Sequence, residues 1–410
     1  MEKENALINI LIIIILLTIC MACFYIVFTV TQNEEYIQMV NSIRKYTEEM
    51  KEASVETSAE VTELIEIEEK SITISVIGDI MCHNTQYNDA YNYQTGEYDF
   101  SYVFEDIKEY IQNSDLAVGN LETTFAGSAV GYSSYPTFNT PDALSSNLKE
   151  LGLDVLSTAN NHSLDMGYNG VVRTIEILNE AGISNVGTYS SYEDSEEILI
   201  KEINDFKIAF LAYSYGTNEI PIPKGKEYCI NLINDEKIIS DTKKAKEENV
   251  DLIISIIHWG YEYNTRPSNE QKRLMNLMFE NGIDLIFGSH PHVLQEMEKY
   301  NIKHEDGEEK QGFVIFSLGN FMSGQVMEFT RQSVILNLVI KKDVNGRIII
   351  DNIDYVPIYM YDRGVKKRYK LLDIEKEIEK YESGDTAIGA SMYNILRKEL
   401  DHIYNILPRD

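Results

Sequence analysis

From residue 71 onward, short aliphatic runs alternate with amphipathic segments, and few folds can satisfy such a pattern. Runs rich in Ile, Leu and Val predict strands at 72–80, 116–122, 154–162, 207–214, 251–260, 284–292 and 313–321. Between them, helical spacing of apolar residues predicts helices at 101–112, 142–150, 170–181, 234–248 and 269–281. Because strands that are apolar along their whole length are covered on both faces, the sequence predicts an α/β fold.

Polar side chains follow several of these runs at the point where each predicted strand ends. Asp79, Glu122 and Asn161 lie at the ends of the first three runs. The same kind of segment holds five histidines: His83, His162, His258, His290 and His292. Ligands of open α/β sheets bind at the carboxyl edge of the strands. Since burying so many polar groups separately would be costly, these segments predict one shared site.

The donor types in these segments predict a centre of two divalent metal ions. The predicted ligands are Asp79, Glu122, Asn161, His258, His290 and His292. Oxygen and nitrogen donors without a thiolate suit Mn²⁺, Fe, Zn²⁺ or Mg²⁺. Glu122 would bridge the ions, with Asp79 on one of them and Asn161 and His258 on the other. The His-x-His pair, on one face of a strand, would send one imidazole to each ion. Two such ions can clamp a phosphoryl or carboxyl group.

His162 and Asp165 are the predicted catalytic pair. Asp165 lies three residues after His162, so its carboxylate could orient the ring while His162 protonates a leaving oxygen. A second interpretation makes Asp165 an N-cap or turn residue ahead of the helix predicted at 170–181. Additional ligands or substrate contacts are predicted among five other side chains: His83, Asn120, Asn160, Glu262 and Asn320.

The charge balance excludes one class of partner. Lys and Arg number 36 against 66 for Asp and Glu, which gives a net charge of −30. Proteins that bind nucleic acids independently of sequence need a basic surface, so we expect no nucleic-acid partner. An anionic substrate would need a local cation in order to bind.

Residues 6–30 are uncharged and mostly aliphatic, and they are long enough to cross a hydrocarbon core of about 30 Å. We predict a single-pass anchor in the cell membrane, with the C-terminal bulk of the chain extracytoplasmic. A cleaved signal peptide and a lipid anchor at Cys20 or Cys23 are the alternatives. The chain starts MEKEN and lacks the basic segment that usually opens a signal peptide.

Three regions are predicted after this anchor, which occupies residues 1–30 together with the short N-terminus. Residues 31–70 are acidic, contain no Gly or Pro, and predict a helical stalk or a charged linker. Residues 71–340 contain the strand-end motifs and form the main domain. Residues 341–410 add C-terminal strands joined at DVNG, followed by a basic helical extension from about 365 to 405.

Six motifs occur in order along the chain: GDIMCH, GNLET, ANNHSLDMGYNG, IHWGYEY, GSHPHVLQ and SLGNF. Over about residues 72–325 the chain resembles the CapA family of poly-γ-glutamate capsule biosynthesis proteins, also called PgsA-like, within the calcineurin-like metallophosphatase superfamily. This resemblance implies a four-layer α-β-β-α sandwich of the metallophosphoesterase type behind a transmembrane helix. It also implies a role in making or exporting an anionic capsule polymer.

The resemblance also implies site residues. It places the Asn-His pair and the His-x-His of the superfamily on Asn161, His162, His290 and His292. Two positions depart from the superfamily pattern. The usual Asp-x-His is Asp79-Ile80-Met81 here, which leaves His83 as a displaced ligand, and the bridging aspartate is replaced by Glu122. Phosphatase activity therefore does not follow from the resemblance.

Two functions are compatible with these patterns. The first is a metal-dependent hydrolase or transferase that acts on a phosphoester or on the amide of a γ-glutamyl polymer. The second is a non-catalytic, polymer-binding subunit of a membrane synthase complex, in which the metal ions hold the anionic chain. Both predict the membrane and synthase subunits as partners.

Overall fold

The computed structural model describes residues 15–27, 37–48, 51, 70–303, 309–343 and 346–407. The chain forms two compact units, Met1–Glu68 and Glu69–Asp410. The first unit contains helices α1, at 15–27, and α2, at 37–48. No helix within the described residues is both long and apolar enough to span a membrane. Parts of the predicted anchor at 6–30 and of the predicted stalk at 31–70 lie outside the described residues.

The second unit is built from strands and helices whose bounds are as follows. Its strands are β1 (Lys70–Ile80), β2 (Tyr91–Asn92), β3 (Glu97–Tyr98), β4 (Leu116–Leu121), β5 (Val155–Ser157), β6 (Ser184–Val186), β7 (Leu199–Ile203), β8 (Phe206–Ser214), β9 (Leu252–His258), β10 (Leu285–Ser289), β11 (Leu294–Lys303), β12 (Glu309–Leu318), β13 (Asn320–Met322), β14 (Gln332–Lys342), β15 (Ile348–Asp362) and β16 (Tyr369–Asp373). Its α-helices are α3 (Asn84–Ala90), α4 (Lys108–Gln112), α5 (Ala143–Leu151), α6 (Gly167–Ala181), α7 (Tyr192–Glu196), α8 (Asp235–Glu247), α9 (Asn269–Asn281), α10 (Ile374–Glu382) and α11 (Gly389–Ile406).

Two mixed sheets form the body of this unit. The strand order of the first sheet is β16-β15-β14-β1-β4-β5-β6, and β13 also pairs with β1. Strands β1, β4, β5 and β6 run parallel, whereas β14, β15 and β16 pair antiparallel. The strand order of the second sheet is β11-β12-β10-β9-β8-β7, with parallel pairing in the centre and antiparallel pairing at both edges. The mixed α/β class predicted from the aliphatic runs is therefore confirmed.

Three apolar clusters hold the sheets and helices together. One combines Ile74 of the first sheet with Phe210 and Ile254 of the second, so the two sheets pack against each other. Another joins the first sheet to α4, α5 and α6, where Leu148 is fully buried. The third joins the second sheet to α8 and α9 and includes Met278. Each sheet is thus covered on both faces, as strands without a polar face require.

Two predicted strands are shorter in the structure, and both end where the polar motifs begin. The strand predicted at 154–162 ends at Ser157, and the strand predicted at 284–292 ends at Ser289. Beyond Ser157, the backbone N–H of Asn160 donates to the hydroxyl of Ser163, 2.9 Å away, instead of to a neighbouring strand. Side-chain hydrogen bonds of this kind compete with sheet pairing, and the sequence pattern did not account for them.

Two helical predictions also need correction. The segment 101–112 forms a 3₁₀ turn at Ser101–Val103 followed by the short helix α4, not one continuous helix. The segment predicted as helical from about 365 begins as a β-hairpin between β15 and β16, and helix starts only at Ile374. Gly364 at φ 69° supplies the left-handed residue that this tight connection needs.

The predicted boundary at residue 340 falls inside β14. Strands β15 and β16 extend the first sheet, and Leu400 of α11 packs into the cluster between the two sheets. The C-terminal segment therefore belongs to the same compact unit as the strand-end motifs. Strands β14 and β15 pair antiparallel as predicted, while two residues of the DVNG turn, 344 and 345, lie outside the described residues.

Candidate metal centre

Glu122 lies at the middle of a buried polar cluster, directly after β4. Its Oε1 is 3.6 Å from Nε2 of His258 and 3.8 Å from Nε2 of His292. The donor atoms of Glu122, His290 and His292 lie within 4.8 Å of one another, and so do those of Asp79, Glu122 and His258. Glu122 is the member that both groups share, which is the position a bridging ligand would occupy.

Asp79 lies near the end of β1 and is fully buried. Its Oδ1 accepts a hydrogen bond from the amide of Asn120, 2.9 Å away. Its Oδ2 lies 3.2 Å from Nδ1 of His292 and accepts from the backbone N–H of His290 at 3.3 Å. Contacts from both sheets therefore fix the carboxylate beside the His-x-His segment.

His258 is the last residue of β9, and each of its ring nitrogens has a separate contact. Nε2 lies 2.8 Å from Oδ1 of Asn161, and Nδ1 lies 2.8 Å from the hydroxyl of Ser289. That hydroxyl also reaches the carbonyl of Ile257 at 3.4 Å. If Nε2–H donates to Asn161, Nδ1 accepts from the Ser289 hydroxyl. In the other tautomer Nδ1–H donates to Ser289, and the lone pairs of Nε2 and of Asn161 Oδ1 face each other, an arrangement that only a cation between them would stabilise.

The segment His290-Pro291-His292 is a strained loop, so the prediction that a strand presents these histidines is wrong. Strand β10 ends at Ser289, and the φ angles of the two histidines are 94° and 58°. Each such conformation costs roughly 1–3 kcal/mol and persists only where the surroundings enforce it. Two backbone hydrogen bonds hold the loop. The backbone N–H of Trp259 donates to the carbonyl of Ser289 at 3.1 Å, and the backbone N–H of Tyr263 donates to the carbonyl of Pro291 at 2.8 Å.

His162 and Asp165 form a buried pair next to this cluster. Nδ1 of His162 lies 2.8 Å from Oδ2 of Asp165, which also accepts the backbone N–H of Phe138 at 2.6 Å. Asp165 does not cap α6, since that helix begins at Gly167 with Met166 in the N-cap position. The geometry is that of a carboxylate orienting an imidazole.

Three asparagines among the candidate contacts brace the cluster. The amide of Asn160 donates to the carbonyl of Leu121 at 2.7 Å, and its Oδ1 accepts from the N–H of His162 at 3.1 Å. Oδ1 of Asn320 lies 3.0 Å from Nδ1 of His292. Together with Asn120, these amides fix the orientation of the predicted ligands.

His83 and Glu262 lie outside both groups of ligands. Nδ1 of His83 accepts a hydrogen bond from the N–H of Gly324 at 3.0 Å. Burial, together with the nearby His292, lowers the pKa of His83 to about 4. Glu262 is exposed in the loop after β9. Neither side chain is a member of the two groups of donor atoms that the described residues form.

The charges inside the cluster are not balanced by basic side chains. Burial raises the pKa of Glu122 well above its usual value, and the charges of Asp79 and Glu262 raise it further. Burial, together with neighbouring histidines, holds the pKa of His258 well below its usual value and lowers that of His290 to about 3. Within the described residues, no Lys or Arg pairs with any of the predicted ligands.

This donor set fits divalent metal ions. Both oxygens of Glu122 and Nδ1 of His290 are buried without a hydrogen-bond partner among the described residues. Buried carboxylates are normally paired with a cation or bind a metal ion. Carboxylate oxygens and neutral imidazoles are also the donors that Mn²⁺, Fe and Zn²⁺ accept.

Residues 73–325 match the family model described as "Bacterial capsule synthesis protein PGA_cap". The chain belongs to this family. It is 30% identical over 336 residues to the "Capsule biosynthesis protein CapA" of Bacillus anthracis, which covers 79% of this chain and 75% of the relative. It is also 30% identical over 292 residues to the "PGA biosynthesis protein CapA" of Bacillus subtilis, covering 69% of this chain and 71% of the relative. The family predicted from the six motifs is confirmed.

Solved structures similar to this PGA_cap family member include two hydrolytic proteins. The NAD nucleotidase of Haemophilus influenzae has a TM-score of 0.44 and 13% identity, and covers 83% of this chain and 57% of its own. The calcineurin-like phosphoesterase YfkN of Bacillus subtilis has a TM-score of 0.42 and 15% identity, and covers 70% of this chain and 90% of its own. Both TM-scores are below 0.5.

Two further side chains of this PGA_cap family member border the cluster and were missed in the sequence. The ring of Tyr215 lies 4.4 Å from that of His290 and is stacked 6.1 Å from that of His258. Tyr215 directly follows β8, so the strand-end rule that found the other residues would have found it. Asn218 accepts a hydrogen bond from Asn161 at 3.0 Å, from a loop position with φ 49° that no sequence pattern marks.

Proposed function

We propose that this chain is a metal-dependent hydrolase or transferase of capsule-polymer synthesis, with a dinuclear centre that acts on a phosphoester or on γ-glutamyl amide bonds. The observation that carries the proposal is Glu122, a fully buried carboxylate whose two oxygens have no hydrogen-bond partner among the described residues. It is shared by two groups of donor atoms, as a bridging ligand would be. Membership of the capsule synthesis family supports the anionic polymer as the substrate.

The metal ions would be held by Asp79, Glu122, Asn161, His258, His290 and His292. Divalent ions in such a site polarise a phosphoryl or carbonyl group and lower the pKa of water. Because no described Lys or Arg pairs with these ligands, the ions would also provide the positive charge that attracts an anionic substrate.

His162 would act as the general acid. The contact between its Nδ1 and Asp165 fixes the ring, so that Nε2 could donate a proton to the leaving oxygen or nitrogen. The imidazole is only 4% exposed, and Phe138 packs edge-on against it with 4.8 Å between ring centroids. This packing limits the access of solvent to the proton.

The test is turnover by the full chain purified in detergent, supplied with Mn²⁺, on an aryl phosphate and on poly-γ-glutamate. We expect hydrolysis of at least one substrate, loss of that activity with a chelator, and recovery when Mn²⁺ is added back. Glu122→Gln, which keeps the size and shape of the side chain, serves as the matched inactive variant.

A different result would favour the non-catalytic alternative. No turnover on either substrate, together with polymer binding that a chelator abolishes, would indicate a polymer-binding subunit of a synthase complex. Metal analysis of the same preparation separates this outcome from a protein that has simply lost its ions. A preparation that contains metal yet neither binds nor hydrolyses polymer would contradict both functions.

We further propose that residues 6–30 anchor the chain in the cell membrane and that the second unit is extracytoplasmic, where it would meet synthase subunits. Apolar side chains of α1 support the anchor because they are exposed, Phe24 at 76% and Met21 at 67%. Alkaline carbonate should leave the chain in the membrane fraction, and protease added to intact spheroplasts should digest the second unit. Extraction by carbonate, or protection from protease, would contradict this placement.

A further inference from the structure

The segment between Asp362 and Asp373 carries a concentration of positive charge in an acidic protein. It contains five cations and no acidic residue: Arg363, Lys366, Lys367, Arg368 and Lys370. The whole chain has a net charge of −30, so this local excess is opposite in sign to most of the molecule. We call residues 363–370 the basic hairpin, since they connect β15 to β16 and include the start of β16.

Two cations of the basic hairpin are neutralised and three are not. Arg368 pairs with Asp362, and Lys370 lies 2.8 Å from Asp106. Arg363, Lys366 and Lys367 are exposed and form no ion pair with a carboxylate among the described residues. These three side chains therefore present uncompensated positive charge to solvent.

The basic hairpin is attached to α3, the helix that follows His83. The backbone N–H of Arg368 donates to the carboxylate of Asp89, and the hydroxyl of Tyr369 lies 2.8 Å from that of Thr85. Both acceptors belong to α3, which starts directly after His83. Because α3 has seven residues, its length is only about 10 Å, so both contacts of the hairpin lie within roughly that distance of His83.

Several tyrosines lie on or beside the same helix, and Tyr87, Tyr98 and Tyr132 are partly exposed. The ring of Tyr87, in α3, is 6.3 Å from that of Tyr132, which in turn lies 5.3 Å from Tyr98. Nζ of Lys367 lies 5.3 Å from the ring centroid of Tyr102. Tyrosine provides rigid contact area together with a hydroxyl that can hydrogen-bond a carboxylate. The surface around α3 thus combines cations with aromatic contacts.

We propose that the basic hairpin is a second binding site, one that holds an extended polycarboxylate chain while another part of that chain occupies the metal centre. This proposal rests on the anionic polymer of the proposed function. The three cations that lack a carboxylate partner lie on an exposed turn, which suits a ligand with repeated charges better than a single small anion. Because the whole chain has a net charge of −30, attraction at the basic hairpin would also determine where on the protein the polymer lies.

The experiment compares two charge variants of the full chain in detergent, both loaded with Mn²⁺. One carries Arg363→Gln, Lys366→Gln and Lys367→Gln. The matched control carries Lys224→Gln, Lys243→Gln and Lys246→Gln, which removes the same charge from exposed positions elsewhere. Affinity is measured by fluorescence anisotropy with labelled poly-γ-glutamate of several tens of residues and with a labelled γ-glutamyl dipeptide.

We expect the hairpin variant to lose roughly tenfold in affinity for the long polymer at low salt, because exposed charge contacts are individually weak but additive. The control should lose no more than about twofold, and the dipeptide should not distinguish the variants. Equal losses in both variants, or no loss in either, would overturn the proposal. So would binding of the hairpin to anionic phospholipid vesicles without any contribution to polymer affinity.

Turnover of the aryl phosphate is measured alongside and should be the same in wild type and both variants. This readout separates the two proposals. If polymer affinity depends on the hairpin while no substrate is hydrolysed, the second binding site stands and the catalytic function fails. If hydrolysis proceeds while polymer affinity is indifferent to the hairpin, the reverse holds.

Discussion

Two fully buried carboxylates, Glu122 and Asp284, lie at opposite ends of the strands and differ in the partners that the protein provides for their negative charge. Asp284 stands at the amino end of β10, where its Oδ2 accepts the N–H of Ile253 at 2.8 Å and Lys310 forms an ion pair with it. Glu122 stands at the carboxyl end of β4, where both of its oxygens lack a hydrogen-bond partner among the described residues.

The causes of the pKa shifts separate the two sites further. Burial raises the pKa of both carboxylates, but Lys310 and a backbone N–H act against that rise at Asp284. At Glu122 the other contributions come from Asp79, Glu262 and Asp165, which are acidic and raise the pKa further. A carboxylate with a structural role is satisfied by the protein itself, whereas Glu122 is left for a ligand from outside.

The largest effect should appear when Glu122→Gln and Asp284→Asn are compared for turnover. Loss of a bridging ligand removes several kcal/mol of transition-state stabilisation, so we expect a roughly 10²- to 10³-fold loss of kcat/KM for Glu122→Gln. Asp284→Asn should stay within about twofold, because it changes no group at the carboxyl ends of the strands. Steady-state assays with metal analysis check this, and equal losses in the two variants would break the distinction.

His162 gives the next largest effect at the same end of the strands. We expect His162→Asn to lower kcat roughly 100-fold without changing metal content, because a general acid contributes to the chemical step and not to metal binding. Asp165→Asn should lower kcat less and shift the pH profile, since its partner ring loses a fixed orientation. A variant at His162 that loses metal instead would place this side chain among the ligands.

The strand-end residues were predictable because a simple rule connects sequence to position. Asp79, Glu122 and His258 each follow or end an apolar run, and the carboxyl ends of parallel strands meet at one edge. Because the strands are buried on both faces, their aliphatic runs also predicted the fold class. Glu122 belongs to both groups of donor atoms, and its role as a bridging ligand stays a prediction.

Other features depend on contacts that no local pattern encodes. The positive φ angles of His290 and His292 come from a loop held by Trp259 and Tyr263, so the strand expectation failed there. Asn218 reaches Asn161 from a different loop, a contact that only the folded chain brings about. The partners of Asp284 were equally unreadable, since Lys310 lies on a different strand.

For Asp284, at the amino end of β10, the comparison predicts that substitution lowers the stability of the protein. We expect Asp284→Asn to lower the free energy of unfolding by about 2 kcal/mol, because the amide loses the ion pair with Lys310 and the charge-assisted hydrogen bond from the N–H of Ile253. This change is measured by urea unfolding in the presence of chelator. The fluorescence of Trp259, the single tryptophan, reports the unfolding. Adding Lys310→Met to the variant should restore part of the loss, whereas a further loss would show that Lys310 has another role.

Glu122→Gln should have the smallest effect, and the opposite sign, under the same metal-free conditions. Replacing an unpaired buried carboxylate by a neutral amide removes repulsion from neighbouring acids, so we expect the free energy of unfolding to rise by about 1–2 kcal/mol. In excess Mn²⁺ wild type should be more stable than Glu122→Gln, because a ligand that binds only the folded wild type stabilises it by about 2.7 kcal/mol at a hundredfold excess over Kd. A variant that is less stable than wild type even in chelator would mean that Glu122 makes a structural contact, and the contrast with Asp284 would disappear.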